Sequence, residues 1–156
     1  MRAIRPGLLP HLVTLYNVFK SPDTGKLAYF PTFLKRTRIT HSSSTVNVAS
    51  VGWTKAVTAG LLVDPKTTQA YRHGTNGIKI KKRYLELPAW DALPDADKEK
   101  HWTLREGDYV VHLESNSECP AVNLAEIQAR NPRKIYSIKP VLSKDGTLHH
   151  WELNLV

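Results

Sequence analysis

The chain has 156 residues, and its lysines and arginines outnumber its aspartates and glutamates by 22 to 14, which gives a net charge of +8. The single cysteine, Cys119, excludes an intrachain disulfide and any multi-cysteine metal site, and no apolar stretch reaches the roughly 20 residues of a membrane helix. We therefore expect one soluble domain, residues 1–156, made in a reducing compartment, whose basic surplus indicates either a polyanionic neighbour or lysines that serve only solubility.

Two strands joined by a turn are predicted near the start of the chain. Residues 12–20 are rich in β-branched and aromatic residues and carry apolar side chains on both faces, as expected of a strand in a barrel or sandwich. Residues 21–25, SPDTG, are a strong turn signal. The second strand is predicted over residues 33–40. Its even positions, Leu34, Arg36, Arg38 and Thr40, share one mostly basic face, which should be solvated or meet an anion.

The segment of residues 41–60 stands apart because Lys55 is its only formal charge. An irregular segment of this length is uncommon in a compact domain unless it is functional or disordered. The alternation around Val46 and Val48 fits a flexible β-arm, and it also fits an ordinary pair of core strands joined at Gly52. The candidate loop residues are His41, Ser42, Ser43, Ser44, Thr45, Val46, Asn47, Val48, Ala49, Ser50, Val51, Gly52, Trp53, Thr54 and Lys55.

A short buried strand that ends at a turn is predicted over residues 61–65. After a further turn at residues 75–77, residues 78–87 are predicted to form a strand with a basic stripe. Alternation places Lys79, Lys81 and Arg83 on one of its faces and Lys82 on the other. Such a stripe is usually a solvated face, but together with Arg36 and Arg38 it could line a polyanion. These five cations are the candidate polyanion-facing residues.

Two helical segments are predicted in the second half. Residues 89–102 hold acidic helical turns, with Pro94 as a plausible first helical residue. Asn123 is a good N-cap for a short helix over residues 124–130, which Asn131 and Pro132 would stop. Between these segments, residues 109–113 read as a further strand.

Residues 134–156 predict a β-hairpin around which the chain should pack. A two-residue turn at Asp145 and Gly146 would place Lys144 opposite Thr147. The predicted pairs of the apolar face are Leu142 with His149, Pro140 with Trp151, Ile138 with Leu153 and Tyr136 with Leu155, and those of the polar face are Lys139 with Glu152 and Ser137 with Asn154.

Six or seven strands, two short helices and no alternation of strands with helices predict a mainly β fold, a small antiparallel barrel or sandwich with a long flexible loop. The seven histidines are dispersed, and His149 and His150 should point to opposite faces of their strand. No zinc, phosphate-loop, dinucleotide or nucleophile-elbow motif occurs. We therefore expect a protein that is not an enzyme and has no cofactor or metal.

Five segments occur in an order that resembles a known family: GLLPH near the start, LLVDP midway, HWTLREGDYVV, NLAEIQARNPRKIYSI and a terminal DGTLHHWEL. In this order the chain resembles the minor capsid or head–tail stopper proteins of tailed siphophages, most closely those of phages that infect Gram-positive hosts. The resemblance runs from Leu8 to Leu155. It rests on loose patterns, and residues 71–93 match no firm family pattern.

The resemblance implies a small β-barrel that assembles with copies of itself as a ring in the virion neck, after synthesis in the host cytoplasm. Its partners would be portal or adaptor proteins, tail proteins and, by proximity, the packaged double-stranded DNA. Such proteins carry a loop toward the axial channel after the second strand, which makes residues 41–60 the candidate channel loop. The alternative is a monomeric nucleic-acid-binding barrel of the OB type, in which the basic stripe grips a single strand.

Overall fold

The computed structural model describes residues 3–48, 52–112 and 123–156, without the side chains of residues 42–57. The fold is mainly β, as predicted. Within these ranges the strands are β1 (His11–Lys20), β2 (Leu27–Val48), β3 (Gly52–Val63), β4 (Gln69–His73), β5 (Lys79–Lys81), β6 (Arg83–Tyr84), β7 (His101–Trp102), β8 (Tyr109–His112), β9 (Arg133–Leu142) and β10 (Leu148–Leu155). The helices are α1 (Leu87–Asp91), α2 (Asp95–Lys98) and α3 (Leu124–Gln128), and 3-10 turns span Pro6–Leu8 and Thr75–Gly77.

Six strands close into an antiparallel barrel. Their order is β1-β8-β9-β10-β3-β2, and β2 pairs back onto β1 to complete the ring of strands. Strand β4 pairs with β2 and carries β5 on its other side, so β4 and β5 extend the sheet away from the barrel. Strands β6 and β7 form a separate parallel pair.

The barrel interior is the main core, because alternate residues of each strand point into it. Strand β10 contributes Trp151, Leu153 and Leu155, which are all buried as predicted. Trp151 contacts Tyr84 and Trp102, with ring centroids 4.7 and 6.2 Å away. The remaining buried members of this cluster are Val13, Leu15, Leu34, Ile39, Ala59, Leu61, Val63, Ala70, Leu104, Val110 and Ile135.

Strand β2 has a β-bulge at Arg36, just before the point where its pairing with β1 ends and its pairing with β3 begins. On β1 the neighbours His11 and Leu12 pair with Thr37 and Lys35, so Arg36 is an extra residue in β2. Its φ angle is +63°, in the left-handed region, and its carbonyl oxygen accepts a hydrogen bond from Thr68 Oγ1 at 2.8 Å. The bulge inverts the alternation of the strand, so the shared face predicted for Leu34 and Arg38 is wrong: Leu34 is buried and Arg38 is exposed.

The central register of the predicted terminal hairpin is confirmed. Four predicted pairs occur: Pro140 with Trp151, Ile138 with Leu153, Lys139 with Glu152 and Ser137 with Asn154. The two outer pairs are wrong, because bulges at either end shift the register. Leu142 pairs with Leu148 rather than His149, and Leu155 pairs with Ile135, which leaves Tyr136 exposed by 69%.

The hairpin turn is longer than the two residues predicted. The strands end at Leu142 and resume at Leu148, and the Ser143 amide donates to the carbonyl oxygen of Thr147 at 2.8 Å. Only Gly146 in this turn has a positive φ, +82°, whereas a two-residue turn of the predicted type needs two such residues. The Asp145 carboxylate accepts from the Ser143 hydroxyl and from the Thr147 hydroxyl and amide, which holds the pKa of Asp145 below its usual range.

The predicted cap of α3 is confirmed, since Asn123 Oδ1 accepts from the Glu126 amide at 2.9 Å. Pro94 is the N-cap of α2 rather than its first helical residue. The strand predicted over residues 78–87 is interrupted at Lys82, whose side chain turns inward and is only 2% exposed. The stretch therefore forms two short strands, β5 and β6, that belong to different sheets.

A buried polar network connects β1 to the turn before β8. Asp108 accepts from the Val18 amide at 2.9 Å and from Asn17 Nδ2 at 2.7 Å. The same Asn17 nitrogen donates to the carbonyl oxygen of Thr103 at 2.8 Å. Asp108 is fully buried, and this burial raises its pKa to about 7 against the opposing effect of the hydrogen bonds.

Candidate functional site: a projecting ribbon and a basic groove

The segment of the candidate channel loop forms a two-stranded β-ribbon, by which we mean residues 42–48 of β2 paired with residues 52–58 of β3. The pairs run without a shift from Ser42 with Thr58 to Val48 with Gly52. Among the described strands, the other neighbour of β3, β10, pairs with it only from Ala59 onward. Seven residues at about 3.4 Å each extend the ribbon about 24 Å beyond the last barrel pair.

The paired strands cover most of the candidate loop residues. His41 lies exposed at the base of the ribbon, and residues 42–48 and 52–55 lie in its strands. Ala49, Ser50 and Val51 lie outside the described residues. The mobility expected for residues 41–60 in the isolated protein stays a prediction.

Three of the five candidate polyanion-facing residues lie together. Arg36, Lys79 and Lys81 line one groove of about 460 Å³, which is built where β2, β4 and β5 adjoin the turn after β3. Arg38 lies elsewhere, in a hollow of about 340 Å³ beside Glu152. Arg83 lies on β6, in the separate parallel pair. Whether any of these residues faces a polyanion stays a prediction.

Lys35 and Lys66 complete this basic groove, and sequence reasoning missed both. Lys35 precedes the bulge in β2 and is exposed, and Lys66 is exposed in the turn after β3. Strict alternation placed Lys35 on the face opposite Arg36, but the bulge allows these neighbours to line the same groove. The signal available for Lys66 was its place directly after LLVDP, whose Asp-Pro pair indicates a turn.

A buried turn fixes the groove's edge beside Lys66. Asp64 is fully buried and its side chain accepts from the Lys66 amide at 2.9 Å and from the Ile4 amide at 2.7 Å. The amides of Thr67 and Thr68 donate to the Asp64 carbonyl oxygen at 3.1 and 2.7 Å. Asp64 is therefore occupied within the turn and does not line the groove.

Tyr71 is the aromatic residue that lines the groove, and its side chain is buried. Its side chain is 8% exposed and its ring packs against Phe33 at a centroid distance of 5.6 Å. The Lys79 ammonium lies 4.7 Å from the centroid of the Tyr71 ring, in cation–π geometry. This ring therefore supports Lys79 and is not a free surface for stacking.

Several histidines that are far apart in the sequence lie close together in the structure. The rings of His11 and His112 lie 5.0 Å apart, and those of His41 and His112 lie 6.3 Å apart, at the base of the ribbon. His11 Nδ1 accepts from the Ile39 amide at 2.9 Å, which places the proton of the neutral ring on Nε2. Burial, together with Arg38 and His41, lowers the pKa of His11.

The prediction that His149 and His150 point to opposite faces is wrong. His149 lies at the bulge in β10, and its Nδ1 approaches His150 Nδ1 at 2.7 Å. The Nε2 atom of His150 lies 3.3 Å from a carboxylate oxygen of Glu152.

Across residues 3–48, 52–112 and 123–156, no three His, Cys, Asp or Glu side chains are grouped in a way that could hold a metal ion. No helix in these ranges is long and apolar enough to span a membrane.

A second cavity, of about 550 Å³, lies beside the buried Lys82. Its lining includes Tyr29, Phe30, Arg72 and Glu99. Lys82 Nζ donates to Thr32 Oγ1 at 2.6 Å and to the carbonyl oxygen of Pro31 at 3.1 Å. Burial, with a smaller contribution from Arg72, lowers the pKa of Lys82 to about 7.

Comparison with known proteins places the chain in one family. The sequence profile of a family of unknown function, DUF6751, matches residues 9–155. Because the match spans nearly the whole chain, the chain belongs to this family. No curated protein and no solved structure matches it.

Proposed function

We propose that this member of the DUF6751 family is a structural protein of a phage neck, a head–tail stopper or minor capsid protein. Copies of the barrel form a ring between the portal or adaptor and the tail. The ring retains packaged DNA and offers a surface for tail attachment. The order of the five segments between Leu8 and Leu155 supports this proposal through the resemblance described above.

The observation that carries the proposal is the ribbon. A two-stranded hairpin alone is at best marginally stable in water, so a ribbon that extends about 24 Å from its barrel needs a further surface to bury. Neighbouring copies in a ring supply that surface. Lys55 is the only formal charge of residues 42–58, and low charge suits segments that converge near an axis, because identical charges repel at close range.

A shortened ribbon tests the proposal. Replacing residues 44–56 by Asn-Gly joins Ser43 to Val57, which are paired in the native register, through a two-residue turn. The barrel should keep its melting temperature, because the removed residues pair only with each other among the described strands. Heads assembled with this variant should lose their genome before tails join. Normal retention of DNA would remove the channel role of the ribbon.

A charge change tests the same role without altering chain length. Ser43→Asp with Ser44→Asp adds two negative charges per subunit to the ribbon, where copies and phosphate groups would repel them. Thr24→Asp with Ala125→Asp adds the same charge at exposed positions away from the ribbon. Only the first pair should lower the fraction of heads that retain DNA. Equal effects of the two pairs would argue against a role that is specific to the ribbon.

The alternative function is a monomeric nucleic-acid-binding barrel of the OB type, which the basic groove favours. Such modules stack bases on exposed aromatic rings, whereas the ring in this groove, Tyr71, is covered. Sedimentation with neck partners separates the two functions. A neck protein should form rings, and an OB module should remain a monomer that binds single-stranded oligonucleotides tightly.

A further inference from the structure

The basic groove gathers cations from separate parts of the chain. Lys35 and Arg36 come from β2, Lys66 comes from the turn after β3, and Lys79 and Lys81 come from β5. Among the residues that the structure describes, no carboxylate lines the groove and none of the five cations forms an ion pair. Cations concentrated in this way create a positive potential that an anionic ligand relieves.

The backbone at Arg36 is strained in a way that favours a role for its side chain. Its φ of +63° is disfavoured for residues that carry a Cβ atom, and glycine is the usual residue in this conformation. An arginine here accepts backbone strain while it lines the groove. Strained residues of this kind cluster at binding sites, where the surrounding structure enforces their conformation.

The groove presents five cations, and its aromatic ring is buried. Its aromatic ring is packed under Lys79, so unstacked bases find no exposed face there. Lys79 and Lys81 lie two residues apart on one strand, a spacing of about 6.6 Å. Successive phosphates of one strand in duplex DNA rise by about 3.4 Å along the helix axis, so the spacing of the two lysines corresponds to about two phosphate steps.

We infer that the basic groove binds the phosphate backbone of double-stranded DNA without regard to sequence. This inference rests on the proposed neck function for the identity of the polyanion, because packaged duplex DNA is what the ring would surround. The groove would hold the duplex from the side of the barrel that carries β4 and β5. The ribbon would then contribute closure of the channel rather than the electrostatic contact.

The test measures binding of the full-length chain to a 30-base-pair duplex and to a single strand of equal length, at several salt concentrations. Lys79→Glu with Lys81→Glu should weaken duplex binding about tenfold at low salt and reduce the salt slope by about two. Lys35→Glu with Lys66→Glu should act similarly from other elements, so one of the two pairs remains informative if the other fails to fold. Lys26→Glu with Lys144→Glu is the control, since these residues are exposed in turns that do not line the groove.

Weaker duplex binding by the groove variants, with parental binding by the control, supports the inference. Equal losses in all variants would show that net charge alone drives binding, and this result would overturn it. Tighter binding of the single strand than of the duplex, or no duplex binding at low salt, would also overturn it. These measurements use the isolated chain, so their failure leaves ring formation and the ribbon variants as a separate test of the neck function.

Discussion

Replacing the buried Lys82 by methionine should change how stability depends on pH. Lys82 is 2% exposed, and its pKa is lowered from 10.5 to about 7. Because the unfolded chain binds this proton more tightly than the native chain, the free energy of unfolding should rise with pH between about 7 and 10.5. The slope should approach about 1.4 kcal/mol per pH unit within this window.

The effect of Lys82→Met on the free energy of unfolding at pH 7 follows from the same pKa shift. Keeping Lys82 in the native state weakens folding by about 4 kcal/mol at this pH. Lys82→Met removes that term, but it leaves the Pro31 carbonyl and the Thr32 hydroxyl without their donor, at a combined cost of about 2 to 3 kcal/mol. The variant should therefore be about 1 to 2 kcal/mol more stable than the parent at pH 7, and less stable near pH 10.

Urea unfolding followed by tryptophan fluorescence at pH 7, 8, 9 and 10 measures both effects. The control is Lys81→Met, which removes an exposed amine one residue away and should keep the parental slope. A Lys82→Met variant whose stability rises with pH as steeply as that of the parent would refute the reasoning. So would a parent whose stability is constant over this range.

Three further substitutions test other parts of the structure. Trp151→Ala should lower the free energy of unfolding by about 3 to 5 kcal/mol, because its 6%-exposed ring fills the barrel core, and an unchanged urea midpoint would contradict that placement. Arg36→Gly should relieve the left-handed strain and leave stability equal or about 1 kcal/mol higher while duplex binding weakens, so a clear loss of stability would show that the strain is absent. The raised pKa of Asp108 should make the parent less stable as the pH rises from about 4 to 7, because the native chain holds this proton more tightly than the unfolded chain does. Asp108→Asn should abolish this fall, and an identical pH profile would exclude Asp108 as its source.

Local patterns in the sequence determined the fold class and much of the core. Alternation in the last strand identified Trp151 and Leu153 as inward residues, because one-residue shifts would expose all of that apolar face. Asn123 was identified as a helix cap because its side chain acts on an amide three residues away. Interactions of this kind span only a few residues, so they can be predicted from the sequence alone.

The tertiary structure decided everything that depends on bulges and on distant segments. The bulge at Arg36 inverts the alternation of β2, and the interruption at Lys82 turns one predicted strand into two. Neither can be predicted from the alternation of side chains along a strand, because each depends on which strand pairs next and on what a side chain contacts in the interior. The groove needs the pairing of β2 with β3 and β4, and of β4 with β5, to bring Lys66 to Arg36 and Lys81. Charges so far apart in the chain become neighbours only when these strands have paired.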